Sequence, residues 1–369
     1  MAKREGLLLD VIRADQFSVR HIDLITDRAD QFQRHQEIAR ARDDIRTGRF
    51  LKGGDLFEDA EQSELVIDPS RLLEDNYRWL GRLAAYFWFD EPSTRTVGSF
   101  DAARALLGME GLGHTNAKLS SSSAKGETLE DSLMTANEHL KFFGGGVVII
   151  RHPQEGSADI AAEIMDFPVL NAGDGQNEHP TQALLDIYTI KQRLGRREGL
   201  NIVMGGDPKY SRTVHSLAQV LSLYPDNQIT FIGEADDWLE GSATKAVLDA
   251  RGVPYSTTKD LDPLKEADVV YWTRLQTERI AGQDSAAARK ETILKKFAKK
   301  YAITEAILQT IPESAIIMHP LPRGPELPVS IDKDRRIAFK DQVRNGVPVR
   351  AALTEMVLRN YYIARVNEG

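Results

Sequence analysis

The sequence predicts an α/β protein of two domains, each a mostly parallel sheet flanked by helices. Three observations carry this. The chain has 369 residues, enough for two domains of ordinary size. Short apolar runs alternate with longer stretches of helical periodicity along most of its length. The apolar runs end in polar segments rich in glycine or proline, as strands do where crossover helices begin. Composition agrees with a globular chain, at 41% hydrophobic and 28% charged residues. The formal net charge of −8 argues against a general nucleic-acid binder but leaves room for a local basic pocket. The chain has no cysteine, which excludes disulfides, thiolate catalysis and cysteine metal sites. No signal-peptide pattern opens the chain and no run approaches the ~18 apolar residues of a membrane span. No membrane partner is expected, and a cytoplasmic location follows as the default.

The elements follow in order. Residues 19–42 show helical periodicity through Ile22, Leu24, Ile25, Phe32 and Ile38. A polar, glycine-bearing stretch over 46–64 reads as a loop or insertion, and Asp68-Pro69-Ser70 precedes a second helical pattern that runs through Leu83. The apolar run 83–89 reads as a buried strand and 97–107 as a helix. Between them lies Asp90-Glu91-Pro92-Ser93-Thr94-Arg95-Thr96, with Pro92 suited to a helix start. Residues 111–114 approach another strand, and the serine-rich loop 120–128 carries Lys125. A helix over 127–140 precedes a strand at 146–150, which ends in Arg151-His152-Pro153. The strand 168–172 leads through Asn177-Glu178-His179-Pro180-Thr181-Gln182 to a helix ending at Leu194, where the domain joint is expected. Strands at 200–205, 229–233, 268–272 and 315–318 then repeat the scheme, and an amphipathic helix over 349–364 closes it.

The chemistry gathers at strand ends. Arg95, Arg151, Arg212, Arg274 and Arg323 each follow an apolar run. One such arginine is usually a surface ion-pair residue. Five at corresponding positions suggest a small substrate with several negative charges, since arginine binds phosphate and carboxylate bidentately. Two readings stand for Ser93, Thr94, Arg95 and Thr96: a phosphate cradle at a helix N-terminus, or ordinary hydroxyl capping beside a surface arginine. Lys125 likewise reads as a mobile phosphate gate or as part of a solvated loop. His179 and Gln182 could both donate to a carbonyl oxygen, although a lone histidine is often structural. Neither G-x-x-x-x-G-K-[ST] nor G-x-G-x-x-G occurs, and no His-Glu-x-x-His pattern suggests a metal. No G-x-S-x-G elbow supports a serine triad.

With these motifs assembled, the chain resembles aspartate carbamoyltransferases of the aspartate/ornithine carbamoyltransferase superfamily. The likeness rests on Ser93-Thr94-Arg95-Thr96, on the 121–128 loop, and on Arg151-His152-Pro153-Gln154-Glu155-Gly156. It continues through 171–182, 209–216, 273–279 and His319-Pro320-Leu321-Pro322-Arg323. Ornithine enzymes typically carry a cysteine in the His-Pro and late proline motifs, and this chain has none. The resemblance implies a carbamoyl-phosphate-binding domain over 1–183, completed by a C-terminal helix over 346–369 that packs back on it. It leaves 47–78 as a possible insertion and implies an aspartate-binding domain over 184–345. It implies that Ser93, Thr94, Arg95 and Thr96 hold the phosphate of carbamoyl phosphate. Thr96, Arg151 and His179 would polarise the carbonyl oxygen, making Arg95, Thr96, Arg151 and His179 the catalytic set. Gln182 and the carbonyls of Leu321 and Pro322 would hold the carbamoyl NH₂. Arg212, Arg274, Gln276 and Lys125 would hold L-aspartate, with Ser121 and Lys125 supplied by a neighbouring subunit of a homotrimer. No metal or organic cofactor is implied, and any regulatory or pathway partner chain is left open. The departures are Ala124, where many members carry a second lysine, and Gly324-Pro325 after the late motif. Two alternatives stand beside this reading: a transcarbamoylase with another amine acceptor, or an inactive homologue serving as an assembly partner.

Overall fold

The computed structural model describes residues 8–47, 80–114, 126–234, 238–277 and 287–366. Nine strands are described: β1 (Ala84–Phe89), β2 (Glu110–His114), β3 (Gly146–His152), β4 (Val169–Asp174), β5 (Asn201–Gly205), β6 (Gln228–Ile232), β7 (Tyr255–Thr258), β8 (Val269–Trp272) and β9 (Ile316–Met318). The helices are α1 (Val19–Thr47), α2 (Thr94–Leu106), α3 (Leu129–Phe142), α4 (Ser157–Ile164), α5 (Pro180–Leu194), α6 (Arg212–Leu221), α7 (Ala243–Ala250), α8 (Ala287–Tyr301), α9 (Glu305–Leu308) and α10 (Phe339–Val366).

The strands form two sheets, in the orders β2-β1-β3-β4 and β7-β6-β5-β8-β9, and every pairing is parallel. Parallel sheets are covered on both faces, so their strands are apolar throughout. β1 obeys this: all six residues of Ala-Ala-Tyr-Phe-Trp-Phe are buried. Its side chains alternate between two cores. Phe87 and Phe89 join a core shared with Ile149, Leu184, Met204, Leu217 and Leu353. Tyr86 and Trp88 face Leu133, Leu140 and Val148 on the other side. The shared core runs from the first sheet through α5 to the second. A third cluster, with Val203, Val270, Trp272 and Ile317, fills the far face of the second sheet.

α10 packs against α1, α2 and α5, so the end of the chain returns to the first sheet. It begins at Phe339, inside the stretch expected to belong to the second domain, because it continues through Pro348. A proline usually interrupts a helix, which is why the sequence pattern places the start at 349. The expected helix that runs through Leu83 is described only as a short turn, Leu80–Arg82, and the rest of the 48–79 stretch lies outside the described residues.

Each sheet has one place where the strand order reverses: between β1 and β3 in the first, and between β5 and β8 in the second. Open parallel sheets bind ligands outside the carboxyl ends of strands at such a point. The register sets Phe89 beside Arg151 at the first reversal and Gly205 beside Trp272 at the second. Both reversals open on the same cleft.

Candidate active site

The cleft has a volume of about 1170 Å³ and is lined from both sheets. The first contributes Glu91 to Thr96, Arg151, His179 and Gln182; the second contributes Tyr210 to Thr213, Arg274 and Gln276. Leu321 and Pro322 close one side.

Ser93 is the N-cap residue of α2, yet its side chain makes no capping bond. Its hydroxyl donates instead to Thr96 Oγ1 at 2.9 Å. Ser93 therefore does not cap α2 with its side chain, and the first-turn N–H groups of a helix are a ready anion site. Pro92 stands before the N-cap rather than at the first helical position. Thr96 is buried, whereas Thr94 and Arg95 are exposed in the cleft.

Arg151 and Arg212 approach from different sheets and are held by one acceptor. Glu91 Oε2 accepts from Arg151 Nη2 at 3.2 Å and from Arg212 Nη2 at 2.8 Å. Their other ends are tied to carbonyls: Arg151 Nη1 donates to Ala172 O (3.1 Å) and Arg212 Nη1 to Gly175 O (2.8 Å). Burial, with Arg212 close by, pulls the Arg151 pKa down to about 9. Its Nε is buried without a partner among the described residues.

The 171–179 loop is built around Asp174. That carboxylate accepts from Asn171 Nδ2 (2.9 Å), the Glu178 N–H (3.1 Å), the Gly156 N–H (3.1 Å) and Asn177 Nδ2 (3.0 Å). It delivers His179 to the N-cap of α5, with Pro180 following at the helix start. The His179 N–H donates to Ser216 Oγ at 2.9 Å, and Ser216 donates to the buried Glu178 carboxylate. Burial, with Arg151, Arg212 and Arg350 nearby, holds His179 well below the usual histidine pKa. Its ring is neutral at pH 7 and offers an N–H without a charge.

In the second sheet, Gly206 has φ +97°, and a Cβ there would stand 2.0 Å from Thr273 O. The Gly205-Gly206 pair thus serves close passage of the β5 and β8 ends. Asp207, buried beside it, takes the Gln276 N–H at 2.8 Å, and the Gln276 side chain donates to Tyr210 O. Leu321 has φ +57°, a left-handed conformation that costs a non-glycine residue roughly 1–2 kcal/mol. His319 holds it there: Nδ1 accepts the Leu321 N–H at 2.9 Å while Nε2–H donates to Glu326 at 3.0 Å. Glu326 also accepts the Gly324 N–H, so Gly324-Pro325 sit in an ordered turn.

Four of the five strand-end arginines line the cleft, and Arg323 does not. It pairs with both oxygens of Asp332 and lies 4.9 Å from the centre of the Phe339 ring. Ser121, Lys125, Glu278 and Arg279 lie outside the described residues. Sequence reasoning missed Arg350, which lines the cleft from α10, and Asp186, buried behind Gln182. Each is a charge inside an apolar helical stretch, Val349-Arg350-Ala351-Ala352-Leu353 and Leu184-Leu185-Asp186-Ile187, and that was the available signal.

This fold and site define an α/β protein of two parallel sheets with an arginine-lined cleft suited to anionic ligands between them. The chain belongs to the aspartate/ornithine carbamoyltransferase family: residues 10–192 match its carbamoyl-P binding domain and residues 198–357 its Asp/Orn binding domain. It is 40% identical over 303 residues to the aspartate carbamoyltransferase catalytic subunit of Thermococcus gammatolerans, spanning 80% of this chain and 93% of that one. It is 39% identical over 292 residues to the chloroplastic aspartate carbamoyltransferase of rice, spanning 78% and 74%. Among solved structures it resembles the Trypanosoma cruzi aspartate transcarbamoylase in complex with carbamoyl phosphate and aspartate, at 31% identity, TM-score 0.72 and coverage of 95% and 96%. The catalytic subunit of M. jannaschii aspartate transcarbamoylase matches at 30% identity, TM-score 0.72 and coverage of 98% and 100%.

Proposed function

We propose that this chain transfers the carbamoyl group of carbamoyl phosphate to the α-amine of L-aspartate, releasing phosphate and N-carbamoyl-L-aspartate for pyrimidine synthesis. One observation carries the reading. The two sheet reversals meet at one cleft, with Arg95 and Arg151 on one wall and Arg212 and Arg274 on the other.

On this reading the phosphate sits at the start of α2, on Ser93, Thr94, Arg95 and Thr96. Thr96, Arg151 and His179 surround the carbonyl oxygen. Gln182 and the Leu321 and Pro322 carbonyls accept from the NH₂ group. Arg212, Arg274 and Gln276 hold the aspartate carboxylates. Ser121 and Lys125 of a neighbouring copy complete the cleft in a homotrimer with shared sites. Residues 1–183 with the C-terminal helix form the carbamoyl-phosphate domain, and 184–345 the aspartate domain, apart from the first turns of α10. The enzyme works in the cytoplasm; among the described residues no helix is long and apolar enough to cross a membrane.

The uncharged α-amine attacks the carbonyl carbon, forming the C–N bond. The carbonyl pair moves onto oxygen, where each preorganised donor is worth roughly 3–4 kcal/mol. The C–O bond to phosphate then breaks, phosphate leaves with the electron pair, and it takes the proton lost by the amine. Arg151 meets the oxyanion with charge, and His179 meets it as a neutral donor. Fixing two anions in attack geometry supplies much of the acceleration.

Mass spectrometry of reactions with carbamoyl phosphate and either aspartate or ornithine tests this. N-carbamoyl-L-aspartate is the expected product, and consumption of ornithine alone would overturn the acceptor assignment. Arg95→Ala should lower turnover by orders of magnitude; an unchanged rate would remove the phosphate cradle from the mechanism.

A further inference from the structure

Asp186 lies one turn along α5 from Gln182 and is fully buried. Three donors converge on it from three elements. Gln182 Nε2 reaches Oδ1 at 2.9 Å, Gln342 Nε2 on α10 reaches Oδ1 at 2.7 Å, and the Tyr271 hydroxyl on β8 reaches Oδ2 at 2.8 Å. An ionised carboxylate only accepts, so it dictates which way each partner turns. The Gln182 amide nitrogen is committed to Asp186, which leaves its Oε1 for the cleft that Gln182 lines. The Gln342 nitrogen is committed too, and Gln342 Oε1 takes the His319 N–H at 2.8 Å. His319 Nδ1 then takes the Leu321 N–H at 2.9 Å, at the turn that presents the Leu321 and Pro322 carbonyls. Burial raises the Asp186 pKa to about 6, against the three donors and the Arg350 charge that favour the ionised form, so the carboxylate is ionised at neutral pH and above.

We propose that Asp186 is a positioning residue that makes the cleft select an NH₂ group on the electrophile, by turning Gln182 Oε1 inward and, through Gln342 and His319, fixing the Leu321 and Pro322 carbonyls. The inference rests on the function proposed above. Three acceptors in one place reward a donor and penalise a group that cannot donate, because a buried acceptor left unpaired is costly. Acetyl phosphate is the matching probe: it keeps the phosphate and carbonyl of carbamoyl phosphate and carries a methyl in place of the NH₂. Leu at 186 keeps the bulk but accepts nothing, so neither glutamine amide is held; Asn would not serve, because its Oδ1 still receives both glutamines and its Nδ2 can donate to the Tyr271 hydroxyl.

The test is titration calorimetry in the cold on the full-length protein with each phosphate, which needs no turnover. The wild-type chain should bind carbamoyl phosphate roughly 10- to 100-fold more tightly than acetyl phosphate. Asp186→Leu should reduce that ratio to about threefold or less by weakening carbamoyl phosphate alone, with acetyl phosphate affinity unchanged. A parallel loss for both ligands, or an unchanged ratio, would make Asp186 merely structural and overturn the proposal. If Asp186→Leu does not fold, Gln342→Met cuts the arm to His319 and carries the same test: the ratio must fall, and an unchanged ratio overturns the proposal. A wild-type chain that binds no carbamoyl phosphate would refute the proposed function instead.

Discussion

A β-carbon on Gly173 would stand 2.9 Å from the guanidinium carbon of Arg212. It would also lie 2.9 Å from Arg151 Nη1, and the backbone there has φ +119°. The glycine is the gap through which both arginines pass. Gly173→Ala should therefore cost ~1–3 kcal/mol of stability from backbone strain and displaced side chains. It should also raise KM for both substrates, because one guanidinium serves each. Denaturant unfolding and steady-state kinetics read the two effects; a variant impaired toward one substrate only would contradict the shared-gap account.

Arg350 is a buried cation with an incomplete set of partners. It is 3% exposed, its Nη1 donates to Ser99 Oγ, and its guanidinium lies 4.8 Å from the centre of the Phe100 ring. Its Nε and Nη2 have no hydrogen-bond partner among the described residues, and burial pulls its pKa down to about 10. Such a charge is costly to the empty fold and useful to an anion. Arg350→Met should raise KM for carbamoyl phosphate about tenfold or more and remove most of the thermal stabilisation that bound phosphate gives the wild-type protein. Thermal unfolding with and without phosphate reads the second effect, and a phosphate-induced shift equal to that of the wild type would count against it.

Glu178 supplies a pH signature. The Ser216 hydroxyl and Gln219 Nε2 donate to it, the latter at 2.7 Å, and burial pushes its pKa from 4.5 up to about 7. The folded protein therefore binds this proton more tightly than the unfolded chain does. Its stabilising contribution is complete below about pH 4.5 and is lost as pH rises through about 7. Glu178→Gln should remove that loss, so the variant gains on the order of 3 kcal/mol relative to wild type between the two ends of this window. Urea unfolding at about pH 5 and about pH 8 measures the difference. Equal slopes in both proteins would assign the titration elsewhere.

The proposed sharing of clefts between subunits makes a prediction that depends on mixing chains. Lys125→Ala and Arg95→Ala should each be nearly inactive as pure proteins. Mixed after dissociation, they should recover part of the wild-type rate, because some hybrid clefts carry both native residues. No recovery after verified chain exchange would place Lys125 and Arg95 in the same chain's site, or outside it.

The strand ends were legible because a buried parallel strand is apolar along its whole length and its end is marked by the first polar residues. Arg95, Arg151, Arg212 and Arg274 were found that way. Arg323 carries the same local pattern, and only the fold shows that Asp332 consumes it. Asp186 and Arg350 stayed hidden because their roles depend on elements far away in sequence, Tyr271 and Gln342 for one and Ser99 and Phe100 for the other. The start of α10 was misplaced for a local reason, since Pro348 reads as a boundary and tertiary packing overrides it. Periodicity did not single out α7, β7, α8 or α9, which lie toward the edge and far face of the second sheet, away from the cleft.

The facing strand reversals also bear on how such a catalyst can diversify. On the proposed function the donor half of the reaction is read by one sheet and the acceptor half by the other, and Glu91 joins the two by pairing with Arg151 and Arg212. A lineage could trade one amine for another by rewriting the loops after β5 and β8, while the machinery that activates the electrophile is inherited intact. An engineer grafting a new acceptor pocket onto this scaffold has the same freedom, with Glu91 as the seam to leave uncut.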